Sequence, residues 1–270
     1  MAKNENEVLL SVKNINKTFI SGLLFTKETY ALKDVSFDLN KGEILSLVGE
    51  SGSGKSTTAN IILQLLKPTS GGVLLNNRNI FKYSKREYYK NVQVIFQDPF
   101  ASYNLFYKVD RMLHLAFKLL DYYPPLEERK NRIREVLESI GLRSNELLGR
   151  YPHQLSGGQL QRMLLASVLI IKPQVLIADE ATSMIDASSR AGVLNLLDML
   201  ARDQGLGIIF ITHDIGQAQY LADRVIVMEH GRIVEEGNPA KVLVTPEMDY
   251  TKELIASVPT MVEKWNFNNK

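Results

Sequence analysis

Four short runs of unbroken apolar residues punctuate the chain: Ile44-Leu45-Ser46-Leu47-Val48, Val92 to Phe96, Val175 to Ala178 and Ile208 to Thr212. Continuous apolar runs, unlike alternating ones, predict strands covered on both faces, as in a parallel sheet flanked by helices. Each run stops at a residue of different character: Gly49, Gln97, Asp179 and His213, respectively. Ligands of parallel α/β sheets bind outside the carboxyl ends of the strands, so these four termini predict a single crevice.

Helical spacing fills the intervals. Lys55 to Leu66 is apolar along one side and stops at Lys67-Pro68, as a helix does before proline. Leu126 to Ile140 carries Ile133, Val136, Leu137 and Ile140 on one side and is followed by Gly141, a suitable C-terminal cap. The charged cluster Glu127-Glu128-Arg129-Lys130 suits a solvated face of that helix. Ala191 to Ala201 predicts a further helix after Asp186. Near the N-terminus, Val8 to Val12 and Ala31 to Leu39 alternate, and Val73-Leu74-Leu75 follows Gly71-Gly72; together they predict an antiparallel β subdomain. Residues 98 to about 165 show no strand pattern and form a helical insertion. There is no internal repeat.

Composition narrows the chemistry. The chain of 270 residues is 45% hydrophobic and 23% charged, which is globular composition. Its 32 basic and 30 acidic side chains leave a formal charge of +2, too little to point to nucleic acid or an acidic lipid surface. The absence of cysteine excludes disulfides, thiolate metal sites and a cysteine nucleophile. The first seven residues lack the apolar centre of a signal peptide, and the longest apolar run, Met163 to Ile171, is too short to span a membrane.

Two segments carry phosphate chemistry. Gly49-Glu50-Ser51-Gly52-Ser53-Gly54-Lys55-Ser56, followed by Thr57, matches G-x-x-x-x-G-K-[ST] between a predicted strand and a predicted helix. The glycines let successive backbone N–H groups turn toward an anion, Lys55 adds a point charge, and the Ser56 hydroxyl can ligate Mg2+. The plain alternative, a Gly/Ser-rich turn, does not account for that context. Asp179-Glu180 places adjacent carboxylates at another strand terminus. Beside a phosphate loop they divide into a residue that reaches hydrated Mg2+, Asp179, and a general base for water, Glu180. Leu155-Ser156-Gly157-Gly158-Gln159 offers a second anion site, since Ser156 can cap a helix starting at Gly157 and leave glycine N–H groups free. One nucleotide does not need two such sites within a compact subunit. A head-to-tail dimer, each nucleotide lying between one phosphate loop and the other subunit's second motif, is the economical explanation.

Leu155 to Gln159, continuing into Leu160-Gln161-Arg162, resembles the signature of ATP-binding cassette (ABC) ATPases, and the resemblance spans about residues 8 to 258. It implies an α/β P-loop NTPase core of the RecA-like kind, with an antiparallel β subdomain, at residues 1–97 and 166–234. It further implies a helical subdomain at 98–165 and a C-terminal extension at 235–270. The cofactors it implies are ATP and Mg2+. It makes Gln97 the Q-loop glutamine near the metal and the attacking water, Asp186 the D-loop aspartate and His213 the switch histidine on the γ-phosphate. Ser156, Gly157, Gly158 and Gln159 then contact the partner's nucleotide. An aromatic side chain upstream of the phosphate loop stacks on adenine; Phe19 and Tyr30 are both candidates, separated by an apparent insertion from Ile20 to Thr29.

Finer features resemble the oligopeptide, dipeptide and nickel importer branch: Phe96-Gln97-Asp98-Pro99-Phe100-Ala101-Ser102-Tyr103-Asn104, Tyr151-Pro152-His153-Gln154, and Asp249-Tyr250-Thr251-Lys252 with Leu254 and Pro259. That tail suits a packed C-terminal helix equally well. Ala181 stands where the family has proline, and Met184-Ile185 where Ala-Leu is usual, but neither change removes a ligand or a base. The branch implies a peripheral ATPase subunit on the cytoplasmic face of a membrane, powering uptake of peptides, nickel or oligosaccharides. Its partners would be a second ATPase subunit, sibling or identical, a membrane permease and, indirectly, an extracytoplasmic solute-binding protein. Phe100, Tyr103, Phe106 and Tyr107 are candidates for the permease contact or for packing inside the insertion. An ABC ATPase acting on DNA or ribosomes, a nucleotide-gated module without turnover, and an exporter remain the alternatives.

Overall fold

The computed structural model describes residues 7–21 and 27–257. In chain order the elements are β1 (Val8–Ser21), β2 (Lys27–Asn40), β3 (Ile44–Val48), α1 (Lys55–Ile62), β4 (Ser70–Leu75), β5 (Arg78–Asn79), α2 (Lys85–Asn91) and β6 (Val92–Ile95). There follow α3 (Asp110–Ala116), α4 (Leu126–Ser139), α5 (Ser144–Leu147), α6 (Gly157–Ile171), β7 (Val175–Asp179), α7 (Ala187–Gln204), β8 (Gly207–Ile211) and α8 (Ile215–Leu221). The last elements are β9 (Arg224–Glu229), β10 (Arg232–Gly237), α9 (Pro239–Val242) and α10 (Asp249–Ala256).

The apolar runs form a six-stranded sheet in the order β10-β9-β3-β8-β7-β6. β3 pairs in parallel with β8 on one side and with β9 on the other, and β7 is parallel to both β8 and β6. Every residue of β3 and β8 is buried, as two covered faces require. Because β3, β7 and β8 run side by side in one direction, Gly49, Asp179 and His213 leave the sheet at the same edge.

The antiparallel subdomain is a second sheet, β2-β1-β4-β5. Its two long strands extend well beyond the alternating segments that announce them, because register shifts at Val12 to Thr18 bend the ladder and let it continue. The insertion from residue 98 onward contains no strand among the described residues. Its helices α3 and α4 pack on α6, which carries Leu160, Met163, Leu165 and Ile170 into the core between insertion and sheet. The expected limit at residue 165 therefore falls inside α6, and the limit at 234 falls inside β10.

Three expected elements differ. The helix from Lys55 ends at Ile62, not Leu66, because Gln64 turns left-handed (φ +56°) and its amide donates to the Ile80 carbonyl at 2.6 Å. The proline at 68 restricts only its predecessor and does not hold the helix open that far. The helix expected over Ala191 to Ala201 starts earlier, at Ala187, where the Asp186 carboxylate accepts the Ser189 N–H at 2.9 Å, and ends at Gly205 with φ +67°. The hairpin β9–β10 carries its own signature, the apolar run Val225 to Met228 before His230-Gly231, whose φ values of +46° and +80° suit a tight two-residue turn. The first six residues, residues 22–26 of the apparent insertion, and Pro259 lie outside the described residues.

Phe210 lies fully buried in β8, whereas Phe106 in the insertion is 89% exposed. Phe210→Ala is expected to lower unfolding free energy by about 3–5 kcal/mol, and Phe106→Ser to change it by less than about 0.5 kcal/mol. Urea denaturation followed by circular dichroism separates the two.

Candidate active site

The phosphate loop is pinned from several sides. A methyl group at Gly49 would stand 2.3 Å from the Met228 carbonyl oxygen, and one at Gly54 2.8 Å from Leu32, so the loop passes too close to β9 and β2 for any side chain there. Both glycines also carry positive φ values. The Gly231 N–H donates to the Ser53 carbonyl at 2.9 Å, and the Gly231 carbonyl accepts the Lys33 N–H at 2.8 Å. The β9–β10 turn thereby ties the loop to the antiparallel sheet.

Lys55, almost fully buried at the start of α1, turns its ammonium back onto the loop. It donates to the Gly49 and Glu50 carbonyls, each at 2.7 Å, and to the Ser53 hydroxyl at 3.2 Å. Burial lowers its pKa, while the charges of Glu180, Asp179 and Glu50 act in the opposite sense. Asp179 is raised above the ordinary carboxylate value, first by burial and then by the adjacent Glu180 charge, with Lys55 opposing. Two carboxylates and one cation thus crowd the ends of β3 and β7.

Glu180 has φ +49°, a conformation that carries strain of about 1–3 kcal/mol in a residue with a side chain. The Glu180 N–H holds it there by donating to the Ile211 carbonyl at 2.9 Å. The turn aims the carboxylate outward: one oxygen lies 3.1 Å from Nδ1 of His213 and the other accepts the Ser183 hydroxyl at 3.3 Å. Glu180, His213, Ser51, Gly52, Lys55 and Ser56 line one cavity of about 380 Å³, with Gly54, Thr57 and Ala31 completing it. Gln97 and Asp179 line a neighbouring groove of about 650 Å³ between β6 and the insertion.

The candidate adenine partners, Phe19 and Tyr30, are both exposed and neither lines the cavity, although Ala31, next to Tyr30, does. The Lys17 ammonium lies 5.0 Å from the centre of the Phe19 ring, and the Tyr30 hydroxyl donates to Glu28 at 2.7 Å. Of the four aromatics singled out in the insertion, Tyr103 packs inside, its hydroxyl 3.5 Å from the Leu160 carbonyl. Phe100, Phe106 and Tyr107 are exposed but do not line the groove; the apolar side chains that do are led by Phe96, Met112, Leu115 and Leu119.

Ser156 and Gln159 form a reciprocal cap on α6: the Ser156 hydroxyl accepts the Gln159 backbone N–H at 3.2 Å, and the Gln159 side-chain Oε1 accepts the Ser156 backbone N–H at 2.9 Å. None of Ser156, Gly157, Gly158 or Gln159 lines the phosphate cavity. Gly157 and Gly158 instead pack on the Asp186 segment, where a methyl group at Gly158 would come within 2.6 Å of the Ser189 side chain. Hydroxyl and backbone N–H donors from Ser188 and Ser189 hold the Asp186 carboxyl far below the usual range.

The donor set suits a magnesium triphosphate. Loop residues and Lys55 line the cavity, and Ser56 there, with Asp179 and Gln97 in the neighbouring groove, carries oxygens of the kind a hard divalent cation takes. The adjacent carboxylates of Asp179 and Glu180, only partly balanced by Lys55, are the feature that fits such a cation.

Comparison with known proteins shows the family. A family profile described as ABC transporter matches residues 32–183. The chain is 39% identical to the oligopeptide transport ATP-binding protein OppF of Bacillus subtilis (strain 168), over 94% of this chain and 83% of that one. It is 38% identical to the putrescine export system ATP-binding protein SapF of Escherichia coli (strain K12), over 93% of each. Among solved structures, a dimeric ATP-binding cassette in a post-hydrolysis state, bound to ADP and Pi, superposes with a TM-score of 0.76 at 30% identity. The match covers 86% of this chain and 99% of that one. The protein therefore belongs to the ABC transporter family, and it is an ATP-binding, ATP-hydrolysing cassette.

Burial and the Glu180 charge both oppose ionisation of Asp179. Its folded pKa lies above the unfolded one, so its contribution to stability falls as pH rises through that interval. Asp179→Asn is expected to raise the unfolding temperature of the ligand-free chain, by more near neutral pH than in mild acid. Differential scanning calorimetry at the two pH values checks it.

Proposed function

We propose that this chain is the ATPase subunit of a membrane transporter of peptides, working as a head-to-tail dimer in which each nucleotide lies between one phosphate loop and the other subunit's signature. The observation that carries the reading is the division of the site. The phosphate loop, Glu180 and His213 share one cavity, and the capped N-terminus of α6 with its glycine N–H groups lies outside it. A partner's α6 would supply the second anion site.

In this reading the loop N–H groups and Lys55 bind the β and γ phosphates, and Ser56, Asp179 and Gln97 hold Mg2+, which neutralises charge on the phosphates when bound. Glu180 accepts a proton from the water whose oxygen forms the new bond to the γ-phosphorus, while the bond to the bridging oxygen breaks and its electron pair leaves with ADP. His213 lies against the Glu180 carboxylate and would contact the γ-phosphate. Phe19 or Tyr30 stacks on adenine, and Asp186 faces the partner across the dimer.

The permease would dock in the 650 Å³ groove, where Gln97 and Asp179 meet Phe96, Met112, Leu115 and Leu119. An apolar opening shared by the insertion and a metal-binding glutamine links transmembrane movement to nucleotide state. No described helix is long and apolar enough to cross a membrane. Peptides are the favoured solute because the relatives include subunits named for oligopeptide transport and for glutathione import. A role on nucleic acid or ribosomes finds no counterpart among these relatives.

Glu180→Gln is expected to lower steady-state ATP hydrolysis about 100-fold or more while leaving ATP binding intact. ATP should then shift the variant to a dimer, alone or with its sibling subunit, in analytical ultracentrifugation. Hydrolysis at the wild-type rate would overturn the assignment of the base.

A further inference from the structure

The C-terminal helix α10 reaches the phosphate loop through a hydrogen bond that neither the loop motif nor the family match assigns. The Glu50 backbone N–H donates to the Tyr250 hydroxyl at 3.2 Å. That N–H belongs to the Gly49–Glu50 peptide, and the carbonyl of the same peptide accepts the Lys55 ammonium at 2.7 Å. One rigid peptide plane is therefore held at one end by Tyr250 and grips Lys55 at the other. Hydrogen bonds in series through an amide strengthen each other, since accepting from the N–H makes the carbonyl a better acceptor.

The tail is placed firmly enough to act this way. Tyr250 packs on the cluster built from Val48, Val225, Val227, Val242 and Leu254. The entry to α10 is clamped by the Glu235 carboxylate, which accepts the N–H groups of Glu247 and Met248 at 3.0 and 3.3 Å. Lys252 pairs with Asp249 on the outer side of the helix at 2.8 Å.

We propose that Tyr250 is a positioning residue for Lys55, acting through the Gly49–Glu50 peptide and so coupling the C-terminal helix to the phosphate-binding cation. The inference rests on the assignment of Lys55 to nucleotide phosphate. When Tyr250 loses its hydroxyl, the Glu50 N–H turns to water, the peptide is freed to rock and the Gly49 carbonyl holds the ammonium less well.

The test is timed labelling of amines by acetic anhydride in the ligand-free full chain, read at Lys55 and Lys252 by mass spectrometry, in wild type and Tyr250→Phe. The rate at Lys55 is expected to rise about two- to tenfold, the range that loss of one net hydrogen bond spans, with Lys252 labelling and the unfolding temperature unchanged. An unchanged rate at Lys55 overturns the proposal. A parallel rise at both lysines with a lower unfolding temperature also overturns it, by showing that the hydroxyl only docks the helix. ATP added to the wild type should slow labelling of Lys55; if it does not, the nucleotide assignment of the loop fails, whatever Tyr250→Phe shows.

Discussion

The electrostatic balance around Lys55 is the constraint on which the rest of the structure depends. Its ammonium is nearly buried, clasped by two carbonyls of its own loop, and set among Asp179, Glu180 and Glu50. The carbonyls and nearby carboxylates make that burial tolerable, because a buried charge without partners is expensive. The parallel pairing of β3, β8 and β7 brings these groups together by ending three strands at one edge. The two covered faces of the sheet then hold that edge rigid through the fully buried β3 and β8.

A second set of contacts surrounds the site and ties distant parts of the chain to it. The β9–β10 turn bonds to Ser53, β2 packs against Gly54, and α10 bonds to Glu50. On the other side, the start of α6 and the Asp186 segment lie against each other with no room for a side chain at Gly158. The two segments proposed to face a partner subunit thus lie directly against each other, with Gly158 buried at their contact.

Much of this arrangement was legible in the sequence because the responsible signals are local. Unbroken apolar runs marked the parallel strands, and Gly49, Asp179 and His213 do leave the sheet at one edge. The expected single crevice is divided, however: His213 lines the phosphate cavity, whereas Gln97 and Asp179 line the groove beside the insertion. Ser156 announced the cap on α6, while its reciprocal bond with Gln159 emerged only in the fold. Other features depend on contacts between distant segments. Gln64 leaves α1 early because its amide finds Ile80, and Tyr103 is buried because the Leu160 region of α6 covers it. Tyr250 meets Glu50 across 200 positions of sequence, and nothing in its own neighbourhood indicates that it reaches the loop. The hairpin at Val225 to Gly237 was within reach, since its apolar run and His230-Gly231 turn are both local patterns.

The central claim is that this crowded strand edge is built for a polyphosphate carried with a divalent cation. Thermal unfolding of the purified chain with magnesium and AMP, ADP or ATP tests it directly, since a ligand at 100 times its Kd adds about 2.7 kcal/mol to stability. The account predicts little change with AMP and a clear rise in unfolding temperature with ADP and with ATP, reduced when Lys55 is replaced by Met. Equal stabilisation by all three nucleotides, or a rise that survives Lys55→Met unchanged, would contradict it.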